Sequence, residues 1–290
     1  MQETDRLHNL ATLNSLEGKV SYAFSPRSYG NMSFPYGDRD EIIANRRRFL
    51  RAVGMDLDDI VFMRPVHKVN VAVVGQNDRG KGAYEQESGI SSTDALITTE
   101  KGVGLAINAA DCAPIIITHR KNYFLALAHA GREGTESEIC KVTISELRRM
   151  GFEDLENFMV GIGPAIDQCY VQDFLQTNHV ERWLPFVRPV DMKAKTIVER
   201  VNSIEPPIYK IRATSEIGEK VKLAIAITEC NIGQLVKAGI PRENISQSDF
   251  CPACNFQEIF SHVVSARFAA VGQAVEYPEG RFMAVAQLKP

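Results

Sequence analysis

Two histidines and one cysteine stand where apolar runs end. They are His67 in Arg64-Pro65-Val66-His67, Cys112 in Ala110-Asp111-Cys112-Ala113-Pro114, and His129 in Ala128-His129-Ala130-Gly131. Two imidazoles and a thiolate are ligands zinc accepts, and a set of three leaves the fourth tetrahedral corner to water or substrate. Zinc with an open corner draws the pKa of its water towards neutrality and polarises a bound oxygen or nitrogen. The pattern points first to an enzyme. Each residue also has a plainer reading: His67 as a hydrogen-bonded loop residue, Cys112 as a small buried hydrophobe, His129 as a strand-end histidine.

The flanking residues say how such a site is positioned. Cys112 falls between the β-prone runs Val103–Ala109 and Pro114–Thr118, and Pro114 cannot donate a ladder hydrogen bond. A break there turns the thiol outward. Tyr123–Ala128 reads as a further strand that delivers His129 into Ala130-Gly131, where glycine permits close approach of backbone or ligand. Cys112 and His129 are thus expected at neighbouring strand ends. Ile60–Met63 and Asn70–Val74 read as strands that bracket His67, and the glycine-rich, polar stretch Gly75–Thr93 reads as a mobile loop that serves as a lid.

Elsewhere Val20–Phe24 reads as a strand and Asp40–Val53 as a helix, with acids at its start and Gly54 after its end. A second helix is expected over Thr135–Met150, capped by Thr135 or Ser137, with Arg148 and Arg149 complementing its dipole. A strand follows at Asn157–Gly161, and a third helix runs from Ile225 to Ala238, stopped by Gly239 and Pro241. Residues 166–215, interrupted by four prolines, read as short helices and loops. Clustered strands with peripheral helices give an α+β or layered α/β fold around one core.

At 290 residues with 44% hydrophobic composition, the chain can fill one sizeable core. A formal net charge of −3 with interspersed signs gives no electrostatic case for nucleic acid or an anionic membrane, so a small molecule is the expected partner. The first residues lack a basic, then apolar, export pattern, and no run of eighteen apolar residues occurs, which makes the cytoplasm the expected compartment. The six dispersed cysteines are then expected as thiols. Cys251-Pro252-Ala253-Cys254 lacks a matching pair and reads as structural, and His119, followed by Arg120 and Lys121, reads as part of an exposed hairpin. His8, His179 and His262 stand in unrelated contexts.

The order of motifs is more specific than any one of them. Ala110-Asp111-Cys112-Ala113-Pro114, then His129-Ala130-Gly131, an upstream Val66-His67 and a downstream Gly161–Ala165 resemble the YfiH family of laccase-domain proteins. Phe24–Arg27, Gly30–Phe34, Gly37-Asp38, Asp94–Thr98, Asn231, Cys251 and Phe260–His262 follow in that family's order. The resemblance implies a β-sandwich flanked by helices, formed by residues 20–290 as one catalytic domain behind an N-terminal extension of residues 1–19. It also implies a zinc site at His67, Cys112 and His129, with copper second, and purine nucleosides and phosphate as partners. The implied reactions are phosphorolysis of adenosine, inosine, guanosine or methylthioadenosine and deamination of adenosine. Phosphorolysis needs donors for phosphate. Arg27 matches the family's early arginine, Asn31 is placed to orient ribose or phosphate, and Asp111 beside Cys112 to orient a ligand or move a proton.

The chain departs from the family at four places. Pro65 and Lys68 flank the first histidine in place of glutamine and glycine, Arg132-Glu133 replaces Trp-Arg after the second, and Val263 stands where an arginine follows Phe-Ser. The alternatives are a multicopper oxidase, for which six histidines are few, a cysteine hydrolase with Cys112 as nucleophile and His129 as base, a peptidoglycan-precursor editing enzyme, and a nucleoside or metal binder without turnover.

Overall fold

The computed structural model describes residues 9–16, 18–166, 196–200, 209–215, 218–222, 227–270 and 278–290. The expectations for His8, His179 and most of residues 166–215 fall outside them.

Two mixed sheets face each other. The first has four strands in the order β1 (Val20–Phe24), β13 (Phe282–Leu288), β5 (Gly104–Ala109), β2 (Ile60–Phe62). The second has six, β12 (Ile245–Gln247), β8 (Phe158–Ile162), β6 (Ala113–His119), β7 (Leu125–Ala130), β4 (Ala95–Thr98), β3 (Val71–Val73). Leu105, Ile107 and Ala284 from the first meet Leu96, Ile116 and Leu127 from the second in one apolar layer. Strand alternation sends the other side chains outward, where they bury against helices. Helix α2 (Arg39–Ala52), its Asp38 side chain accepting from the Asp40 and Glu41 amides, lays Phe49 and Leu50 on Ala106 and Val285 of the first sheet. Helices α4 (Ile139–Arg149) and α5 (Ile227–Lys237) cover Ile115, Ile117 and Ala126 of the second. The sandwich expected from the resemblance is therefore present. Helix α1 (Ala11–Asn14) seats Leu10 and Leu13 against Gly161 of β8. Strands β9 (Thr196–Arg200), β10 (Tyr209–Ser215) and β11 (Gly218–Lys222) form a separate antiparallel sheet.

Four local expectations are corrected. The described parts of residues 166–215 are the strands β9 and β10 and not short helices. The helix foreseen over Thr135–Met150 is two helices, α3 (Arg132–Glu136) and α4, with left-handed Glu138 (φ 63°) starting the second in place of a Thr135 or Ser137 cap. Asn231 and Gln234 of α5 hold the Thr135 hydroxyl and carbonyl, which fixes the break. His119 is buried, packed against Phe124 and Phe158. The loop from Gly75 to Thr93 is strapped down: Gly80 and Ile90 donate to Ile60 and Phe62 of β2, and Phe62 and Arg64 donate back to Lys81 and Ile90.

Candidate metal centre

The β6–β7 pairing sets the site's geometry. Ala113 stands opposite Ala130 and Pro114 opposite His129, so Cys112, just before β6, lies beside the end of β7. His129 continues the face that carries Leu125 and Leu127 into the layer between the sheets and is 3% exposed. His67 reaches the same point from the turn between β2 and β3, in left-handed backbone (φ 59°) that a non-glycine residue adopts at a cost. The ligand atoms of His67, Cys112 and His129 all lie within 4.8 Å of one another, and among the described residues this is the His/Cys/Asp/Glu group with that geometry. The two imidazole centroids are 4.9 Å apart at 65°.

Two observations show that these residues fit a metal. His129 Nδ1 is buried with no hydrogen-bond partner among the described residues. A β-carbon on Gly131 would sit 2.7 Å from Cys112 Sγ and 3.2 Å from His67 Cδ2, so the absent side chain leaves the space the two ligands converge on. Burial, with the Asp111 charge beside it, pushes the Cys112 thiol up to about 12, and burial pushes His129 down to about 3. Both are then neutral without a metal, and a bound cation takes the place of the thiol proton. A thiolate–imidazolium pair of the kind a cysteine hydrolase uses is not favoured by these surroundings.

Asp111 and Asp94 hold the ligands in place. Asp111 (φ 89°) is buried, accepts the Val263 amide at 2.8 Å in the first turn of α6 (His262–Ala270), and so ties the residue before Cys112 to that helix. Burial raises its carboxyl pKa, and Oδ1 is unpartnered among the described residues. Asp94, fully buried, accepts from the amides of Val66 (2.9 Å) and Asn70 (3.4 Å).

A cleft of about 440 Å³ opens from His67, Cys112 and His129. Neither Arg27 nor Asn31 is among its lining residues. Arg27 donates to the carbonyls of Phe256 and Pro278 and stacks on Phe260. Asn31 Oδ1 accepts from the backbone amides of Ser33 and Arg281. The cations in the wall are Arg64, Arg46 and Arg281, the last paired with Glu279 and donating to Tyr36 Oη at 2.7 Å, with His262 bonded to Glu279 nearby. Sequence reading missed Arg281 and Arg46, and only the Gly30–Phe34 motif, which Asn31 and Met32 share with them through hydrogen bonds, pointed their way. Cys251 is buried and Cys254 exposed.

Comparison with known proteins identifies the family. Residues 16–288 match the family model described as multi-copper polyphenol oxidoreductase laccase. Adenosine deaminase RL5, from an unknown prokaryotic organism, is 28% identical over 224 residues, 77% of either chain. Purine nucleoside phosphorylase YlmD of Geobacillus stearothermophilus is 30% identical over 234 residues, 80% of this chain and 77% of its own. The crystal structure of YlmD from that organism superposes with a TM-score of 0.72 at 26% identity, covering 93% of this chain and 92% of that one.

Proposed function

The chain belongs to the laccase-domain family, and on that premise we propose that it is a zinc-dependent purine nucleoside enzyme, cleaving adenosine, inosine, guanosine or methylthioadenosine with phosphate and deaminating adenosine. The observation that carries the reading is the convergence of His67, Cys112 and His129 at one end of a cleft walled by arginines. Relatives named adenosine deaminase and purine nucleoside phosphorylase supply the two reactions.

Zinc suits a set of two imidazoles and a thiolate, and it supplies Lewis acidity and an acidified water. A four-copper centre needs many more imidazoles than the chain's six histidines provide around this point. Cys112, just before β6, and His129, on β7, would hold the metal, and His67 would close the set from its loop. Asp111 positions Cys112 and keeps one carboxyl oxygen unpaired for a proton. Arg281, its side chain braced by Glu279 and Tyr36, presents positive charge to phosphate. Asn31 acts by fixing the Arg281 backbone, and Arg27 by stacking under the segment that leads to His262.

The departures at the first two motifs answer each other. Lys68 and Glu133 pair at 3.1 Å across the two ligand loops, so the substituted positions join the site's edges rather than open them. The test is chromatography of products after incubating the zinc-loaded protein with adenosine and inosine, with and without phosphate. Base release from inosine that requires phosphate, with inosine formed from adenosine in either case, is expected. No product from any combination overturns the proposal.

A further inference from the structure

Glu279, shortly before β13, has one carboxyl oxygen shared by two side chains of the cleft. Its Oε1 is bonded to His262 Nδ1 at 2.9 Å and to Arg281 Nη1. A carboxylate only accepts, so the hydrogen in the first bond belongs to the imidazole. Two donors on one oxygen stand no more than about 6 Å apart, twice the length of a hydrogen bond. Both residues line the cleft, and the His262 side chain is 56% exposed, so a ligand reaches its ring. With Nδ1 spent on Glu279, the nitrogen left for that ligand is Nε2. The neighbouring donors are already taken. At the start of α6 the Val263 amide donates to Asp111 and the Val264 amide to the Ser261 hydroxyl. Of the other cations in the wall, Arg46 spends Nε and Nη1 on the carbonyls of Met32, Gly82 and Ala83, and Arg64 donates to the Glu87 carbonyl.

We infer that His262 completes the phosphate site with Arg281, an inference that rests on the nucleoside reading above and names the second side chain that holds its co-substrate. As an imidazolium the ring donates from both nitrogens. Glu279 takes Nδ1–H, and phosphate takes Nε2–H while Arg281 gives a charge-assisted bond to another oxygen of the same ion. Donors this close to each other serve a single phosphate. The two cations outweigh the one carboxylate between them, so the pair attracts an anion. Glu279 acts as a positioning residue, aiming both donors from one oxygen.

The experiment follows phosphorolysis of inosine against phosphate concentration, and deamination of adenosine without phosphate, in the zinc-loaded wild type, His262→Ala and His262→Arg. His262→Ala is expected to raise KM for phosphate by about tenfold or more, the factor carried by a hydrogen bond to a charged group. Saturating phosphate restores its kcat, so at low phosphate phosphorolysis falls against deamination, which takes no phosphate. His262→Arg, which returns a cation to the position, brings the phosphate KM back towards that of the wild type. A phosphate KM that His262→Ala does not change, or two reactions that fall together, overturns the inference while the nucleoside reading stands. A wild type that releases no base from inosine defeats that reading instead, and calorimetric titration with inorganic phosphate then decides: binding at least about tenfold weaker in His262→Ala supports the inference, and equal binding or none overturns it.

Discussion

The backbone amide of His129 donates to the carbonyl of Asp94 at 2.7 Å. The carboxylate of the same residue takes the amides of Val66 and Asn70, which flank His67. One buried aspartate thus sets the strand that bears the second histidine and the loop that bears the first. Asp94→Ala leaves both loop amides unpaired and frees His67, whose left-handed backbone depends on that brace. Zinc affinity is expected to fall about 10–100-fold, the range seen when groups that orient metal ligands are removed. Asp94→Asn, which keeps one acceptor oxygen, falls in between. Competition against a chromophoric chelator measures both.

Gly131 separates steric from conformational effects. Its φ of −79° is open to any residue, yet an added β-carbon lands 2.7 Å from Cys112 Sγ. Gly131→Ala is therefore expected to fold with nearly unchanged thermal stability and to lose zinc affinity and activity by about tenfold or more, as displaced ligands do. A melting curve beside a metal titration checks it, and a variant that melts early without losing metal contradicts it.

Arg46 holds the segment first read as a lid. It is 1% exposed, donates to the carbonyls of Met32, Gly82 and Ala83, and lies between Phe34 and Phe62. Burial lowers its pKa to about 9, still well above neutral, so the strap is charged. Arg46→Met strands three carbonyls and is expected to cost about 3 kcal/mol, given that a hydrogen bond to a charged group contributes ~1.5–3 kcal/mol. Denaturant titration reads the loss, and limited proteolysis is expected to cut first between Gly80 and Gly89.

His119 gives the chain a pH-dependent stability away from the metal. Its Nδ1 accepts the amides of Lys121 and Asn122, and its Nε2–H donates to the Asp154 carbonyl, so the ring is held neutral. Burial lowers its pKa from 6.5. A histidine whose folded-state pKa lies below the unfolded value contributes stability that is full above the unfolded value and is lost as pH falls through it. The melting temperature should accordingly drop below pH 6.5, and the drop should shrink in His119→Gln, whose carboxamide can accept but does not titrate. Parallel profiles for the two proteins contradict the assignment.

The convergence of Cys112 and His129 was legible in the sequence because each sits at the end of an apolar run, and antiparallel neighbours bring such ends together. His67 was legible as a motif, although its convergence depends on Asp94, whose partners lie across a turn that spacing does not reveal. Arg281 enters the cleft from the last strand through a contact with Asn31, so no local pattern announced it. His119 was misread because Arg120 and Lys121 suggest exposure, whereas Phe124 and Phe158 decide its burial. The split of α3 from α4 was hidden because the residues that hold it, Asn231 and Gln234, lie on α5.

The most direct test of the central claim is X-ray absorption at the zinc edge of the zinc-loaded protein, beside Cys112→Ala. The account predicts one sulfur at about 2.3 Å with two imidazole nitrogens at about 2.0–2.1 Å and a further light atom, and the sulfur shell lost in the variant. A zinc shell without sulfur, or one unchanged by Cys112→Ala, would place the metal elsewhere and remove the basis for assigning catalysis to this site.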